Sequence, residues 1–397
     1  MKLTPEEQDM LAGKYGRSTK KAMEILTTLG DIFDAEGMVD VLSVQIAGVS
    51  YANLGEAGLE FLNEMAEDGK VKVLTTLNPA GMDRENWKVL GIDKEFAKNQ
   101  NRVIDTFAKM GIITTCSCTP YLIGNTPHFG QHLAWAESSA VCYSNSVIGA
   151  KTNREGGPSA LASALTGKTP LYGYHLDENR HGQVLVNVKA QINGTDEFGV
   201  LGKIIGDKLG ELEKKIPYIK GVSSATVEEL KSFCASVATY GGTALFHMEG
   251  ITPEYNSYPI PRDFFFDIEP ADIKKTRAEL IDTDIEIDFV SLGCPHASIH
   301  EIAQISKLLE GKKVKKEFWI TTARPTKKIA DEAGYSKIIE EAGAKFAADT
   351  CCVVAPIKGR FKGIMVDSAK ACYYGRAKNK FKVKIGTIEE CVEEAIK

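Results

Sequence analysis

The chain has no uninterrupted apolar run of the roughly 18 residues that a membrane span needs. Its opening stretch, MKLTPEEQDM, has no apolar centre of the kind that marks a signal sequence. These two lacks lead to the expectation of a cytoplasmic protein that uses no membrane. No Gly-x-Gly-x-x-Gly follows a strand-like run, so a nicotinamide cofactor is not expected. The triplet Gly167-Lys168-Thr169 would need a further glycine at position 162 to form a phosphate loop, and Ala162 stands there; Gly167 is read instead as a helix C-cap. Positive charge is not in excess: 48 Lys and Arg against 53 Asp and Glu leave a net charge of -5, which speaks against general nucleic-acid binding. An even, regularly spaced set of cysteines is also missing. The nine present are irregularly placed and form no disulfide framework in a reducing compartment, which leaves free thiols or metal ligands.

What is present fits a soluble globular chain of two or three domains: 397 residues, of which 43% are hydrophobic and 25% charged. Thr4, Pro5 and Glu7 spell a helix start, with an N-cap, a proline at the first helical position and the far half of a capping box. A second helix is expected over 18–29. VDVLSVQIAGVS then reads as a strand, 54–67 as a helix and VKVLTTL as a strand. Strand readings recur at GIITTC, with GQHLAWAESSAV as the helix after it, at TALFHM, at IDFVSLG with a helix after Ala297, at EFWITTA and at CCVVAPI. This alternation predicts α/β layers with largely parallel sheets, where ligands gather at the C-terminal strand ends. Polar punctuation sits at those ends (AGVS, NPAGMD, CSCTPY, GCPHAS, ARPT), and an enzyme is expected. Charged, Gly-containing stretches near 190 and 285 divide the chain into 1–190, 191–285 and 286–397.

Cys118, Cys294 and Cys351 each lie at or just beyond a predicted strand end. Three thiolates converging from separate strands leave one metal position open, an arrangement suited to Lewis-acid chemistry; buried structural cysteines are the alternative. Cys142, Cys234 and Cys372 fit that alternative better. Cys116 and Cys118 with His128 and His132 allow a zinc reading, but the spacing matches no known zinc signature. In the block from Ala134 to Gly167, Glu137, Ser138, Asn145, Asn153 and Arg154 either cap helix ends or line a pocket. Between Lys358 and Lys384 nine basic residues stand against Asp367 alone, a segment that can face an anionic substrate, a partner or simply water.

The segments LAGKYG, GVSYANLGEAGLEFL, TTLNPAGMD, CTPYLIGNTPHFGQHLAWAESSAV, NSVIGAKTNREGGPSALASALTGKTPLYGYHLDENR, FHMEGITPE, SLGCPHAS, TARP and DTC together resemble the aconitase X family, and more closely its archaeal branch, over almost the whole chain. The resemblance implies an aconitase-like catalytic body of three α/β domains, with the family's swivelling domain absent. It implies a 4Fe-4S iron–sulfur cluster on Cys118, Cys294 and Cys351, with Cys118 in the first domain and the other two in the third, and with Cys116 and Cys352 as bystanders. It implies a hydro-lyase converting (R)-5-phosphomevalonate to trans-anhydromevalonate 5-phosphate plus water, on a mevalonate route to isoprenoids. By matched position, Gly48, Val49, Ser50, Asn78, Pro79, Glu137, Ser138 and Gly375 are expected substrate contacts. Arg324 is read as a bidentate clamp for carboxylate or phosphate. No catalytic base is expected in this chain: the resemblance puts the proton acceptor, a serine, on a separate small subunit that forms a heterodimer with it. The rival readings are a cis-3-hydroxyproline dehydratase of the same superfamily, a non-catalytic iron-sensing RNA-binding protein and a zinc hydrolase.

Overall fold

The computed structural model describes residues 1–397. Its backbone is built on three sheets in which every neighbouring pair of strands is parallel. The first has the order Ile113–Cys116, Leu74–Leu77, Ser43–Ile46, Ala134–Trp135. The second runs Phe265–Ile268, Val184–Val188, Pro217–Lys220, His247–Met248. The third runs Lys345–Ala348, Glu317–Thr322, Phe289–Leu292, Gly363–Val366, Lys382–Ile385. A short antiparallel ribbon pairs Met38–Asp40 with Lys168–Pro170. The central strands Ser43–Ile46, Phe289–Leu292 and Gly363–Val366 are buried at every position, as parallel strands covered by helices on both faces must be.

Helix starts follow the sequence closely. The pairs Thr4 and Glu7, Thr226 and Glu229, Ser298 and Glu301, and Thr387 and Glu390 each close a capping box, satisfying N–H groups that the first turn leaves without partners. Gly167 ends the helix Gly157–Thr166 in the left-handed conformation, the C-cap expected of it. The helices Gly194–Glu211 and Val227–Gly241 cross so tightly that a Cβ on Gly206 would lie 2.7 Å from the Gly241 nitrogen; only a residue without a side chain permits that approach.

Three strand and helix readings need correction. GQHLAWAESSAV is not one helix: Ala134–Trp135 adds a strand beside Ser43–Ile46, and the helix Ser138–Tyr143 starts only after Glu137 caps it. The apolar run Leu133–Ala136 is fully buried and completes the first sheet, which outweighs its helical composition. CCVVAPI is not a strand; the strand is the preceding Lys345–Ala348, and the two cysteines lie in the turn beyond it. VDVLSVQI splits into Met38–Asp40 and Ser43–Ile46, which belong to different sheets. A boundary at 190 leaves Val184–Val188 in the first unit, whereas its pairing puts it in the second sheet. One hydrophobic cluster of 51 residues joins Trp135, Phe198, Phe233, Phe289 and Trp319, so the three units share a continuous core.

Candidate functional site

Residues just past the strand ends of the first and third sheets line one cavity of about 270 Å³. From the first sheet come Ala47, Asn78 with Pro79, Cys118, and the run Ala136, Glu137 and Ser138, one contribution from each strand. From the third come Gly293 with Cys294, Cys351, and Lys370. The second sheet contributes nothing to the lining. The site therefore sits between the outer units, where parallel strands aim their C-terminal ends.

Cys118, Cys294 and Cys351 are thus brought together on one wall, from three separate loops. Gly293 sets the second loop. Its φ is +98°, and a Cβ there would lie 2.1 Å from the Thr321 carbonyl oxygen, so no other residue turns the chain toward Cys294. The Cys294–Pro295 peptide is cis. His296 joins all three loops: its backbone N–H donates to Cys118 Sγ at 3.2 Å, Nδ1 meets Ser117 Oγ at 3.1 Å and Nε2 meets the Thr350 carbonyl at 3.0 Å. A carbonyl only accepts, so Nε2 carries the proton and Ser117 donates to Nδ1. Burial holds His296 neutral, with its pKa lowered to about 3.

Burial also pushes the Cys118, Cys294 and Cys351 thiols above the ordinary cysteine value, and each of the first two is raised further by Cys351. No three His, Cys, Asp or Glu side chains stand close enough to hold a single metal ion. Three thiols from separate loops on one cavity wall instead suit a group of several metal atoms, bound through more than one of them. Cys116 and Cys352 are buried beside this wall but do not line it; the Cys116 thiol reaches the Thr114 carbonyl at 3.4 Å.

The other expected contacts divide. Asn78, Pro79, Glu137 and Ser138 line the cavity, and the Asn78 Oδ1 is buried without a partner. Gly48, Val49 and Ser50 stand just behind it. Gly48 lines an adjoining cavity, the Val49 carbonyl accepts from Gln100, and Ser50 Oγ reaches the carbonyl of the cavity residue Val354 at 3.4 Å. Gly375 does not face the cavity: a Cβ there would meet Val383 at 2.9 Å, so its absence serves packing onto the third sheet. Arg324 is also elsewhere, with its guanidinium engaged by Asp83 at 2.6 Å, Glu85 at 2.8 Å and Asp349 at 3.6 Å. A guanidinium already ringed by carboxylates is not free to clamp another. Asn145 and Asn153 hydrogen-bond backbone groups at Thr152, Ala244, Tyr172 and Tyr174, and are structural caps. His128 is exposed, and His132 pairs with His175 at 3.0 Å.

Of the other lining residues, Arg154 takes the pocket side of its two readings, while Lys370, Lys378 and Asn53 had no signal of their own in the sequence. Lys370 and Lys378 belong to the basic segment, which the fold disperses. Lys370 and Lys378 turn into the cavity, while Arg376, Lys362 and Lys384 pair with Asp282, Glu286 and Glu394 at the surface. Lys370 Nζ contacts Glu137 Oε1 at 2.6 Å and Ser139 Oγ at 2.8 Å. Burial works against its charge, yet Glu137 and the neighbouring Cys294 and Cys118 thiols hold its pKa above the usual lysine value. Arg154 and Asn53 line both this cavity and the adjoining one of about 370 Å³. Recognising Lys370 required the strand Gly363–Val366, whose end delivers it.

Three parallel sheets with a shared core, and a thiol-lined cavity between the outer two units, define an α/β protein whose chemistry sits on its strand ends. The chain belongs to the aconitase X family: residues 1–178 match the aconitase X first domain, 182–279 the second and 287–397 the third. It is 45% identical to the phosphomevalonate dehydratase large subunit of Thermococcus kodakarensis over 100% of both chains. It is 30% identical to the cis-3-hydroxy-L-proline dehydratase of Hypocrea jecorina, over 100% of this chain and 68% of that one. The crystal structure of Thermococcus kodakaraensis aconitase X in its holo form superposes with a TM-score of 0.93 at 45% identity, covering 100% of each chain.

Proposed function

We propose that this chain is the large subunit of a phosphomevalonate dehydratase. On this reading it removes water from (R)-5-phosphomevalonate to give trans-anhydromevalonate 5-phosphate, with an iron–sulfur cluster on Cys118, Cys294 and Cys351 and a small subunit as partner. The observation that carries the reading is the convergence of those three thiols on the cavity that also holds Asn78, Glu137 and Lys370. Relatives of that name reach 45% identity with full mutual coverage, against 30% for relatives named cis-3-hydroxy-L-proline dehydratase. The holo description of the superposed relative agrees with a bound group in that protein.

The reaction removes a weakly acidic proton next to a carboxylate and expels hydroxide from a tertiary carbon. An iron–sulfur cluster held by Cys118, Cys294 and Cys351 would supply Lewis-acid chemistry for both demands. The chain's own residues supply the frame. His296 fixes the relative positions of the three cysteine loops through hydrogen bonds that need no charge. The Asn78 amide, without a partner in the chain, offers a donor and an acceptor to a substrate hydroxyl. Val353 and Val354 line the cavity and keep bulk water from the reacting centre. Arg154 and Asn53, at the junction of the two cavities, receive the phosphorylated end. The proton acceptor comes from the small subunit, which closes the cavity.

Anaerobic preparation with the small subunit tests the reading. Turnover of phosphomevalonate is expected, together with iron and acid-labile sulfide that are lost in Cys118→Ala, Cys294→Ala and Cys351→Ala and retained in Cys116→Ala and Cys352→Ala. Zinc without labile sulfide, or dehydration of cis-3-hydroxy-L-proline but not of phosphomevalonate, overturns it.

A further inference from the structure

Lys370 is the one buried ammonium whose donors are not all accounted for at the cavity. It follows the strand Gly363–Val366, is the second residue of the helix Ala369–Tyr374 and lines the cavity with Cys118 and Cys294. An ammonium has three N–H donors. One goes to Glu137 Oε1 at 2.6 Å and one to Ser139 Oγ at 2.8 Å, and the chain offers no oxygen acceptor for the third. Glu137 is itself largely committed, with three of its roughly four acceptor sites taken: Oε2 accepts from the Ala140 N–H at 2.7 Å, and Oε1 accepts from Ser139 Oγ at 2.9 Å as well as from Lys370. Glu137 therefore has little capacity to bind a substrate directly, and its carboxylate holds the lysine in place.

We infer that Lys370 binds the substrate's carboxylate, with Glu137 and Ser139 as its positioning residues. This rests on the dehydratase reading above. Of the two anionic ends of such a substrate, the carboxylate must lie at the thiol wall, because the proton removed is adjacent to it and the departing hydroxyl is one carbon further on. As the proton leaves, negative charge moves onto the carboxylate oxygens. A fixed cation already in place stabilises that charge without reorganising, which is where electrostatic stabilisation acts most strongly. Lys378, the other lysine on the wall, is less suited: it donates to the Val353 carbonyl at 2.8 Å, and burial lowers its pKa.

The test compares wild type and Lys370→Gln in the complex with the small subunit, using (R)-5-phosphomevalonate and its carboxyl methyl ester as probes. Calorimetry measures binding, steady-state kinetics measures turnover, and iron and sulfide analysis checks the cluster. Wild type is expected to bind the acid at least tenfold more tightly than the ester, Lys370→Gln to lose that preference, and kcat/KM for the acid to fall by about a hundredfold or more with cluster content unchanged. If the lone substitution leaves Glu137 unpaired and the variant does not fold, the double variant Glu137→Gln, Lys370→Met removes both charges and is read in the same way. Undiminished preference for the acid in either variant overturns the inference, as does an equal loss for acid and ester, which marks a purely structural role. Failure of wild type itself to turn over phosphomevalonate overturns the dehydratase reading instead.

Discussion

Arg324 and Lys370 are both cations paired with carboxylates, and their surroundings leave them differently committed. Arg324 has no vacancy. It bridges Asp83, on the loop after Leu74–Leu77, to Asp349, on the loop leading to Cys351, and Asp349 in turn accepts from the Arg324 and Cys116 backbone N–H groups. Asp83 is fully buried and keeps three backbone N–H donors, but Arg324→Met takes away its cation and is expected to cost about 3 kcal/mol. Urea unfolding of the full chain measures this; a substrate clamp would instead raise KM and leave stability unchanged. Cys118 and Cys294 were legible because their strand ends could be read, whereas Cys351 was placed inside a misread strand and was picked out by the resemblance. The role of Arg324 was not legible, because the TARP motif shows a guanidinium but not the carboxylates that two other segments, Asp83 with Glu85 and Asp349, bring to it.

At the scale of elements, the second unit reaches the loop of Cys294 through one helix, while Gly199 of the helix Gly194–Glu211 packs on Ala369 beside Lys370. Val227–Gly241 grips the start of Ile299–Leu309, the helix that follows Cys294. Lys231 Nζ donates to the His296 carbonyl at 3.0 Å and pairs with Glu301 at 2.5 Å, while Ser298 Oγ donates to Glu228 at 2.7 Å. Glu301 also closes the capping box with Ser298, so one carboxylate serves the helix start and the contact between units. Lys231→Met is expected to lower stability by about 3–5 kcal/mol, since Glu301 stays buried without its cation. It should also speed amide exchange at His296, Ala297 and Ser298, which hydrogen-exchange mass spectrometry resolves; unchanged exchange there would show that the grip does not hold the loop. The capping box itself is readable in Ser298-x-x-Glu301. The lysine that meets it comes from 70 residues away, and no local pattern announces it.

Across the whole molecule, buried titratable groups set how stability varies with pH, in two opposing senses. Burial lowers His175 to about 3 and also lowers His132 and His247. Below about pH 6.5 the unfolded chain binds protons that these folded histidines refuse, so their contribution to stability is lost as pH falls. Asp367 is the reverse case. Burial, reinforced by Glu301, raises it to about 7, so between about pH 4 and about pH 7 the folded chain holds a proton that the unfolded chain releases, and stability is lost as pH rises. Asp367→Asn removes this term. Its stability relative to wild type is expected to climb by about 1.4 kcal/mol per pH unit across that window and then level off. Denaturant unfolding of both proteins at pH 5, 6, 7 and 8 checks the slope; a constant difference would show that Asp367 is ionised in the fold.

The sequence by itself determined the parallel α/β character, the helix starts written in Thr4, Thr226, Ser298 and Thr387, and two cysteines, Cys118 and Cys294, each placed beside a strand end. These are local matters: backbone donors at a helix start are satisfied within three residues, and a buried strand shows its apolar run directly. The tertiary structure decided which strand ends face each other, that the second unit supports the cavity without lining it, and that Lys370 turns inward from a basic segment while Arg324 is tied to carboxylates outside it. Those outcomes depend on charge partners and packing contacts between segments far apart in the chain, and such contacts exist only once the three sheets share a core.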